Sequence, residues 1–164
     1  MKKLIIEGKR ELTGEIKISG AKNSIVALIP ATILTKGKCV IHNVPDISDV
    51  RILIEIMESL GSIVHFENEV LTIDNKNVEN KPIGEKYASK LRASYYFMGS
   101  LLGQFQQVDI ANPGGCVIGS RPFDFHIDAF KRMGIHVEEK MDSYHMCTDE
   151  LKATDIFFDF PSVG

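Results

Sequence analysis

The sequence predicts an α/β fold built from a repeated unit, and three observations predict it. Apolar positions switch between the strand period of two and the helix period of about 3.6 along the chain. The order of those segments in the first half recurs in the second. The composition is that of a folded domain, with 164 residues, 44% hydrophobic and 25% charged. It excludes a disordered chain, a collagen-like repeat and a disulfide-stapled miniprotein. The net charge is −3, from 19 Lys and Arg against 22 Asp and Glu, so no basic surface is expected and no nucleic-acid partner. An anionic ligand must then be held by a few placed cations.

The elements follow in order. Leu4 to Glu7 reads as a short strand turning at Gly8, and Ile16 and Ile18 alternate with polar residues as a second strand. Gly20-Ala21 opens a helix to about Thr35, with Pro30 predicting a kink or break. Lys38 to Val44 reads as a strand. Asp46-Ile47-Ser48-Asp49 offers caps for a helix whose apolar face is Ile47, Val50, Ile54, Met57 and Leu60, closed by Gly61. Ile63 to Phe66 and Val70 to Ile73 form a hairpin through Glu67-Asn68-Glu69.

In the second half, a helix is expected from about Ala88 to Leu102 and a strand over Gln107 to Ile110. A loop runs to about Pro122, a helix ends at Gly134, and strands cover Ile135 to Glu139 and Tyr144 to Thr148. Asp155 to Phe160 reads as a strand of a further unit. Leu34, Val40, Ile41 and Pro45 match Leu102, Val108, Asp109 and Pro113 at an offset of 68. Ile54, Met57, Leu60, Gly61 and Val64 match Ile127, Phe130, Met133, Gly134 and Val137 at 73, so the second copy carries about five extra residues. They fall within Gly114-Gly115-Cys116-Val117-Ile118-Gly119-Ser120-Arg121, and a loop that differs between matched units is a functional candidate.

That loop carries the chemistry best. Its glycines free the backbone, Cys116 offers a thiol that can approach and leave a ligand, and Arg121 favours a thiolate or holds an anion. An incidental cysteine on a flexible turn is the plain alternative. Cys39 and Cys147 lie on strand patterns and read as buried structural thiols. Lys22-Asn23 sits at a strand-to-helix junction, where backbone N–H groups and a lysine favour phosphate or carboxylate. Taken alone, Lys22 reads as readily as a solvated lysine beside a capping asparagine. Arg92 lies near the repeat-equivalent of Lys22, and the two cations would frame one anionic ligand. Tyr95, Tyr96, Phe97 and Phe105 default to core packing. The five histidines lack metal spacing, and no dinucleotide or P-loop glycine motif is present, so no metal and no cofactor are expected. Three cysteines without a CxxC pair suit a reducing compartment. No apolar run approaches the roughly 18 residues of a membrane span, and Met1 to Glu7 lacks a signal-peptide apolar stretch. A cytoplasmic protein without a membrane partner is expected.

Four motifs together resemble one family. They are Gly20-Ala21-Lys22-Asn23, then Asn43-Val44-Pro45-Asp46 with Asp49-Val50, then Leu91-Arg92-Ala93-Ser94, then Pro113-Gly114-Gly115-Cys116-Val117-Ile118-Gly119-Ser120-Arg121-Pro122. The chain resembles, over its whole length, the UDP-N-acetylglucosamine 1-carboxyvinyltransferase family of peptidoglycan synthesis. The resemblance implies an inside-out α/β barrel of βαβαββ units, here incomplete. Residues 1–20 would pack with an absent other domain, 21–86 and 87–154 would be two units, and 155–164 would open a third.

The implied reaction moves the enolpyruvyl group of phosphoenolpyruvate to the 3′-hydroxyl of UDP-N-acetylglucosamine and releases phosphate. Cys116 would be the proton donor and the residue alkylated by fosfomycin. Lys22, Asn23 and Arg121 would engage phosphoenolpyruvate. Arg92, Arg121, Pro122, Phe123, Asp124, Phe125, Ser162 and Val163 would contact the UDP-sugar. The family's aspartate base and a closing arginine would lie past Gly164, so this chain alone is expected to be inactive. Two alternatives are a UDP-sugar-binding module without turnover and the sister enolpyruvyl transferase of the shikimate pathway. Cys116 and Ala21-Lys22-Asn23 argue against the second.

Overall fold

A computed structural model describes residues 3–9, 11–114 and 124–157 of the chain. It contains five α-helices, α1 (Lys22–Ala31), α2 (Ser48–Ser59), α3 (Glu85–Ala88), α4 (Tyr96–Phe105) and α5 (Asp124–Arg132), among the described residues. Six strands accompany them, β1 (Lys38–Ile41), β2 (Ile63–Glu67), β3 (Val70–Asp74), β4 (Gln107–Ala111), β5 (His136–Glu139) and β6 (Ser143–Cys147). They form two antiparallel three-stranded sheets of the same design, ordered β1-β3-β2 and β4-β6-β5.

The pairings set the alignment between the halves. Val64 and Cys39 flank Ile73 in the first sheet, as Val137 and Val108 flank Met146 in the second. Val64 to Val137 is the offset of 73 read from the sequence, but Cys39 corresponds to Val108, an offset of 69 rather than 68. The slip matters because one residue turns a strand side chain to the other face. Val40 is 51% exposed whereas Val108 is fully buried, so the two are not equivalent.

Local chemistry explains most boundaries. Helix α1 runs through Pro30 and tightens into a 3-10 turn over Thr32–Thr35, so the proline marks the last turn and no break occurs there. In α2 the N-cap is Ile47 and no side chain caps it. The buried face of α2 is Val50, Leu53, Ile56 and Met57, with Ile54 only half-buried, so the stripe is rotated from the one expected. Gly61 takes φ +101°, the left-handed form that ends the helix. Asn68 and Glu69 both take positive φ (49° and 61°), which is the two-residue turn that matches strand twist. The helix expected from Ala88 to Leu102 is divided into α3, a 3-10 turn over Arg92–Tyr95, and α4.

Residues 3–9 and 11–21 form no strand. Leu4, Ile5, Ile6, Leu12, Ile16 and Ile18 all stay exposed, because an alternating pattern needs a neighbouring strand for its backbone hydrogen bonds and these residues meet none among the described ones. One ion pair, Lys17 Nζ to Glu69 Oε2 at 3.1 Å, ties this segment to the hairpin. Residues 151–157 likewise form no strand, and the rest of the expected strand to Phe160 lies outside the described residues.

The core is continuous across both halves. Ile25 and Ile29 of α1, Ile33 of the following 3-10 turn, and Phe97, Met98 and Leu101 of α4 belong to one buried cluster where these elements pack. The link between units is pinned by Ile83, whose N–H donates to Asp109 O at 2.9 Å and whose carbonyl accepts from Ala111 N at 2.8 Å. One buried polar side chain supports the first unit. Asn75, 1% exposed, accepts from Ser62 Oγ at 2.7 Å and donates through Nδ2 to Thr32 O at 2.8 Å. It ties the end of β3 to the end of α1. Asn75→Ala deletes both buried bonds and is expected to lower stability by about 1–3 kcal/mol in urea unfolding.

Candidate active site

The two packed helices begin at the same end of the core, and their first turns wall one open cleft of about 380 Å³. Lys22, Asn23 and Val26 come from α1, Asp49 from the first turn of α2, and Lys90 to Ala93, Tyr95 and Tyr96 from the approach to α4. Gly20 makes the entry to α1 possible. A Cβ there would lie 1.8 Å from the carbonyl oxygen of Asn43, so the first two sequence motifs pass each other in contact. Val44-Pro45-Asp46 is then held by a two-bond pair in which Arg51 Nε and Nη2 donate to Asp46 at 2.7 Å each. That pairing holds the Asp46 carboxyl below the usual carboxylate range and raises the Arg51 guanidinium.

The cleft is built for a negative ligand. Its walls carry three cations, Lys22, Lys90 and Arg92, against one carboxylate, Asp49. Helix α1 has Ala21 as N-cap with no side-chain cap, which leaves its first N–H groups free of side-chain acceptors and adds the positive end of the helix dipole. Lys22 Nζ pairs with Asp49 Oδ2 at 2.5 Å, with Lys22 the more exposed partner (57% against 19%). Among the described residues no ion pair is recorded for Lys90 or for the half-buried Arg92. The charge at Lys22 is thus already answered, while Arg92 presents its charge to the cleft.

Tyr96 departs from the core packing that is the default for most of these aromatics, while Tyr95 packs half-buried against the core. Phe97 is fully buried, but Tyr96 is 37% exposed and both tyrosines line the cleft. Their ring centroids are 4.5 Å apart, and Tyr95 also meets His126 of α5 at 5.0 Å. Burial, then the hydrogen bond with Tyr96, pushes the Tyr95 hydroxyl up to about 12, partly offset by Arg92. Asp124 and Phe125 open α5 immediately before His126.

The cysteine loop begins at a tight point. Gly114 N–H donates to Ala88 O at 2.9 Å, and a Cβ on Gly114 would lie 2.1 Å from Ser89 O. The expectations for Cys116, Arg121, Pro122, Phe123, Ser162 and Val163 lie outside the described residues. Of the expected site residues, Lys22, Asn23 and Arg92 share the cleft, and Asp124 and Phe125 stand at the start of α5. Sequence reasoning did not assign Asp49, Lys90 or the two tyrosines to the site. Asp49 stood within a quoted motif, and Lys90, Tyr95 and Tyr96 flank Arg92, but only the fold turns them to one cavity. The cysteines expected to be buried are half-buried, with Cys39 Sγ 3.2 Å from Thr35 Oγ1. No three His, Cys, Asp or Glu side chains gather as a metal site among the described residues, and no helix there is long and apolar enough to cross a membrane.

The fold and this cleft define the class before any relative is considered, an α/β protein of two matched sheets whose cleft gathers three cations beside a helix N-terminus. The chain is similar in structure to the enolpyruvyl transferase NikO from Streptomyces tendae, with a TM-score of 0.72 and 22% identity over 86% of this chain and 31% of that one. That likeness concerns the fold. The chain belongs to the family described as EPSP synthase (3-phosphoshikimate 1-carboxyvinyltransferase), which matches residues 6–164.

Within it, UDP-N-acetylglucosamine 1-carboxyvinyltransferase 1 of Streptococcus agalactiae is 47% identical over 100% of this chain and 40% of its own length. The enzymes named UDP-N-acetylglucosamine 1-carboxyvinyltransferase 2 are 44% identical in Listeria monocytogenes, over 99% of this chain, and 46% identical in Bacillus cereus, over 100% of it. The chain spans about two fifths of the length of these curated relatives.

Two tyrosines report on the packing around the cleft and on the second sheet. Tyr144 is also raised to about 12, by burial and then by its 3.0 Å hydrogen bond to Glu139. A phenol held protonated in the folded state stabilises it below about pH 10. That contribution is lost as the pH rises from 10 towards 12, because the unfolded chain then binds fewer protons. Tyrosinate absorbance is expected to show two late ionisations, with Tyr95→Phe removing one.

Proposed function

We propose that the protein to which this chain belongs transfers the enolpyruvyl group of phosphoenolpyruvate to the 3′-hydroxyl of UDP-N-acetylglucosamine, releasing phosphate, in the cytoplasmic supply of cell-wall precursors. The observation that carries the reading is the convergence on one cleft of the uncapped α1 end, Lys22, Asn23 and Arg92, which forms no ion pair among the described residues. The names of relatives 44–47% identical to this chain support UDP-N-acetylglucosamine as acceptor and a carboxyvinyl group as the unit transferred.

In this reading the sugar hydroxyl adds to C2 of the enol while a proton is delivered to C3, giving a tetrahedral phosphate ketal. Loss of a C3 proton and departure of phosphate restore the double bond. Cys116 donates the proton and is the thiol that fosfomycin alkylates. Lys22, Asn23 and Arg121 hold phosphoenolpyruvate, where the lysine charge offsets phosphate and carboxylate. Lys22 reaches that ligand by exchanging its Asp49 partner for it. Arg92, with Arg121, Pro122, Phe123, Asp124, Phe125, Ser162 and Val163, meets the UDP-sugar. Units 21–86 and 87–154, with 155–164 opening a third, form one part of a longer protein, whose other domain packs with residues 1–20.

The exposed apolar residues Leu4 to Ile6, Ile16 and Ile18 support that last point, since a longer protein would cover them. The alternative acceptor, a shikimate phosphate, is weighed directly by binding. The 164-residue chain is expected to bind UDP-N-acetylglucosamine, with amide shifts at Lys22, Asn23 and Arg92, and not shikimate 3-phosphate. Arg92→Ala is expected to weaken that binding about ten- to a hundredfold, the worth of a charge-assisted hydrogen bond. Shifts with the shikimate phosphate alone would overturn the assignment. Phosphate release is expected from the longer protein and not from this chain, and to be abolished by Cys116→Ser.

A further inference from the structure

Helix α5 meets the rest of the molecule along one stripe. His126, Ile127 and Phe130 lie on one face, since residues four apart on a helix share a side. Ile127 is the only buried residue of α5, and His126 is exposed. Besides the buried Ile127, this face meets Gly99 of α4 and Tyr95 just before that helix. Phe130 Cζ lies 4.0 Å from where a Cβ on Gly99 would stand, and the His126 ring lies 5.0 Å from that of Tyr95. Tyr95 and Gly99 are four residues apart, as are His126 and Phe130, so the two segments run in register. Phe130 is followed by Arg132 and the turn into β5, which packs on α5 and holds its far end. Near the start of α5 the Tyr95 ring, which lines the cleft, meets His126, the residue after Asp124 and Phe125, while the Asp124 charge is felt at Tyr144.

Tyr95 is suited to that task. Its ring is wedged between Tyr96 at 4.5 Å and His126 at 5.0 Å, tilted by 33° and 55°, which are favoured aromatic geometries. It is also the last residue of the 3-10 turn that begins with Arg92. One side chain therefore walls the cation-bearing cleft and supports the first turn of the neighbouring helix.

We infer that Tyr95 is a positioning residue for the nucleotide half of the ligand, whose ring sets the place of Asp124 and Phe125 relative to Arg92. The inference rests on the functional reading above for the ligand, though not for the mechanical pin. Tyr95→Ala removes the ring contact with His126 and leaves the Phe130–Gly99 one. Tyr95→Phe keeps the ring and restores the contact. Tyr95→Leu keeps apolar volume without a flat face, and serves if the alanine variant does not fold.

The test uses the 164-residue chain with two readouts. In the ligand-free chain, amide hydrogen exchange at 125–128 should rise about two- to tenfold in the Ala and Leu variants, the range expected for one lost aromatic pair, while 130–132 and the Phe variant stay unchanged. In titrations, the same variants should weaken UDP-N-acetylglucosamine about three- to tenfold and leave phosphoenolpyruvate affinity unaltered, whereas Arg92→Ala weakens the UDP-sugar without needing any change in exchange. Unchanged exchange at 125–128 in both Ala and Leu variants, or equal weakening of both ligands, would overturn the inference. Absence of UDP-sugar binding by the unaltered chain would instead overturn the functional reading, and the exchange readout would still decide the pin.

Discussion

The packing of α1 on α4 is the constraint on which the rest depends. Ile25, Val26 and Ile29 on one helix and Phe97, Met98 and Leu101 on the other are buried, so the two helices cannot slide without opening the core. Their first turns start side by side. Lys22 and Arg92, 70 positions apart in the chain, are thereby placed on opposite walls of one cleft. A repeated unit makes this economical, because two copies of a strand-and-helix design packed in the same sense bring equivalent helix ends together.

Electrostatics then differentiates the two walls. Lys22 has Asp49 as an internal partner, and a ligand must exchange with a carboxylate to reach it. Among the described residues Arg92 forms no ion pair, and it shares the cleft wall with Tyr95, whose hydroxyl is pushed up to about 12 by burial. A cation answered by a carboxylate is stable while empty, and an unanswered one is a standing preference for an anion. The cleft therefore combines one guarded and one open positive group. The start of α5 is linked to the Arg92 side of the cleft through the ring contact of Tyr95 with His126.

The alternation of strand and helix, the hairpin at Asn68-Glu69, the helix stops at Gly61 and Gly134 and the repeat were all legible in the chain, because each depends on local periodicity or on a residue able to adopt positive φ. The motifs at Lys22-Asn23 and Arg92 were legible as chemistry for the same reason. Three things were not. Local patterning could not say whether the strand repeat was displaced by 68 or 69, since that register is set by which face meets the core, and Val40 and Val108 look alike on paper while facing opposite ways. It could not show that the pattern at Ile16 and Ile18 has no neighbouring strand here. It could not assign Asn75, whose hydrogen bonds reach Ser62 and Thr32.

Sequence alone determined which residue types stand at the helix starts, and so what kind of ligand they suit, because charge and backbone freedom belong to a residue and its immediate neighbours. Tertiary structure alone decided that Asp49 answers Lys22, that Lys90 and two tyrosines join the cleft, and that Tyr95 meets His126. Those pairings span 27, 68 and 31 residues of chain: the Lys22–Asp49 ion pair, the shared cleft of Lys22 and Lys90, and the Tyr95–His126 ring contact. Their geometry is a property of how two helices share a core, and no stretch of sequence contains it.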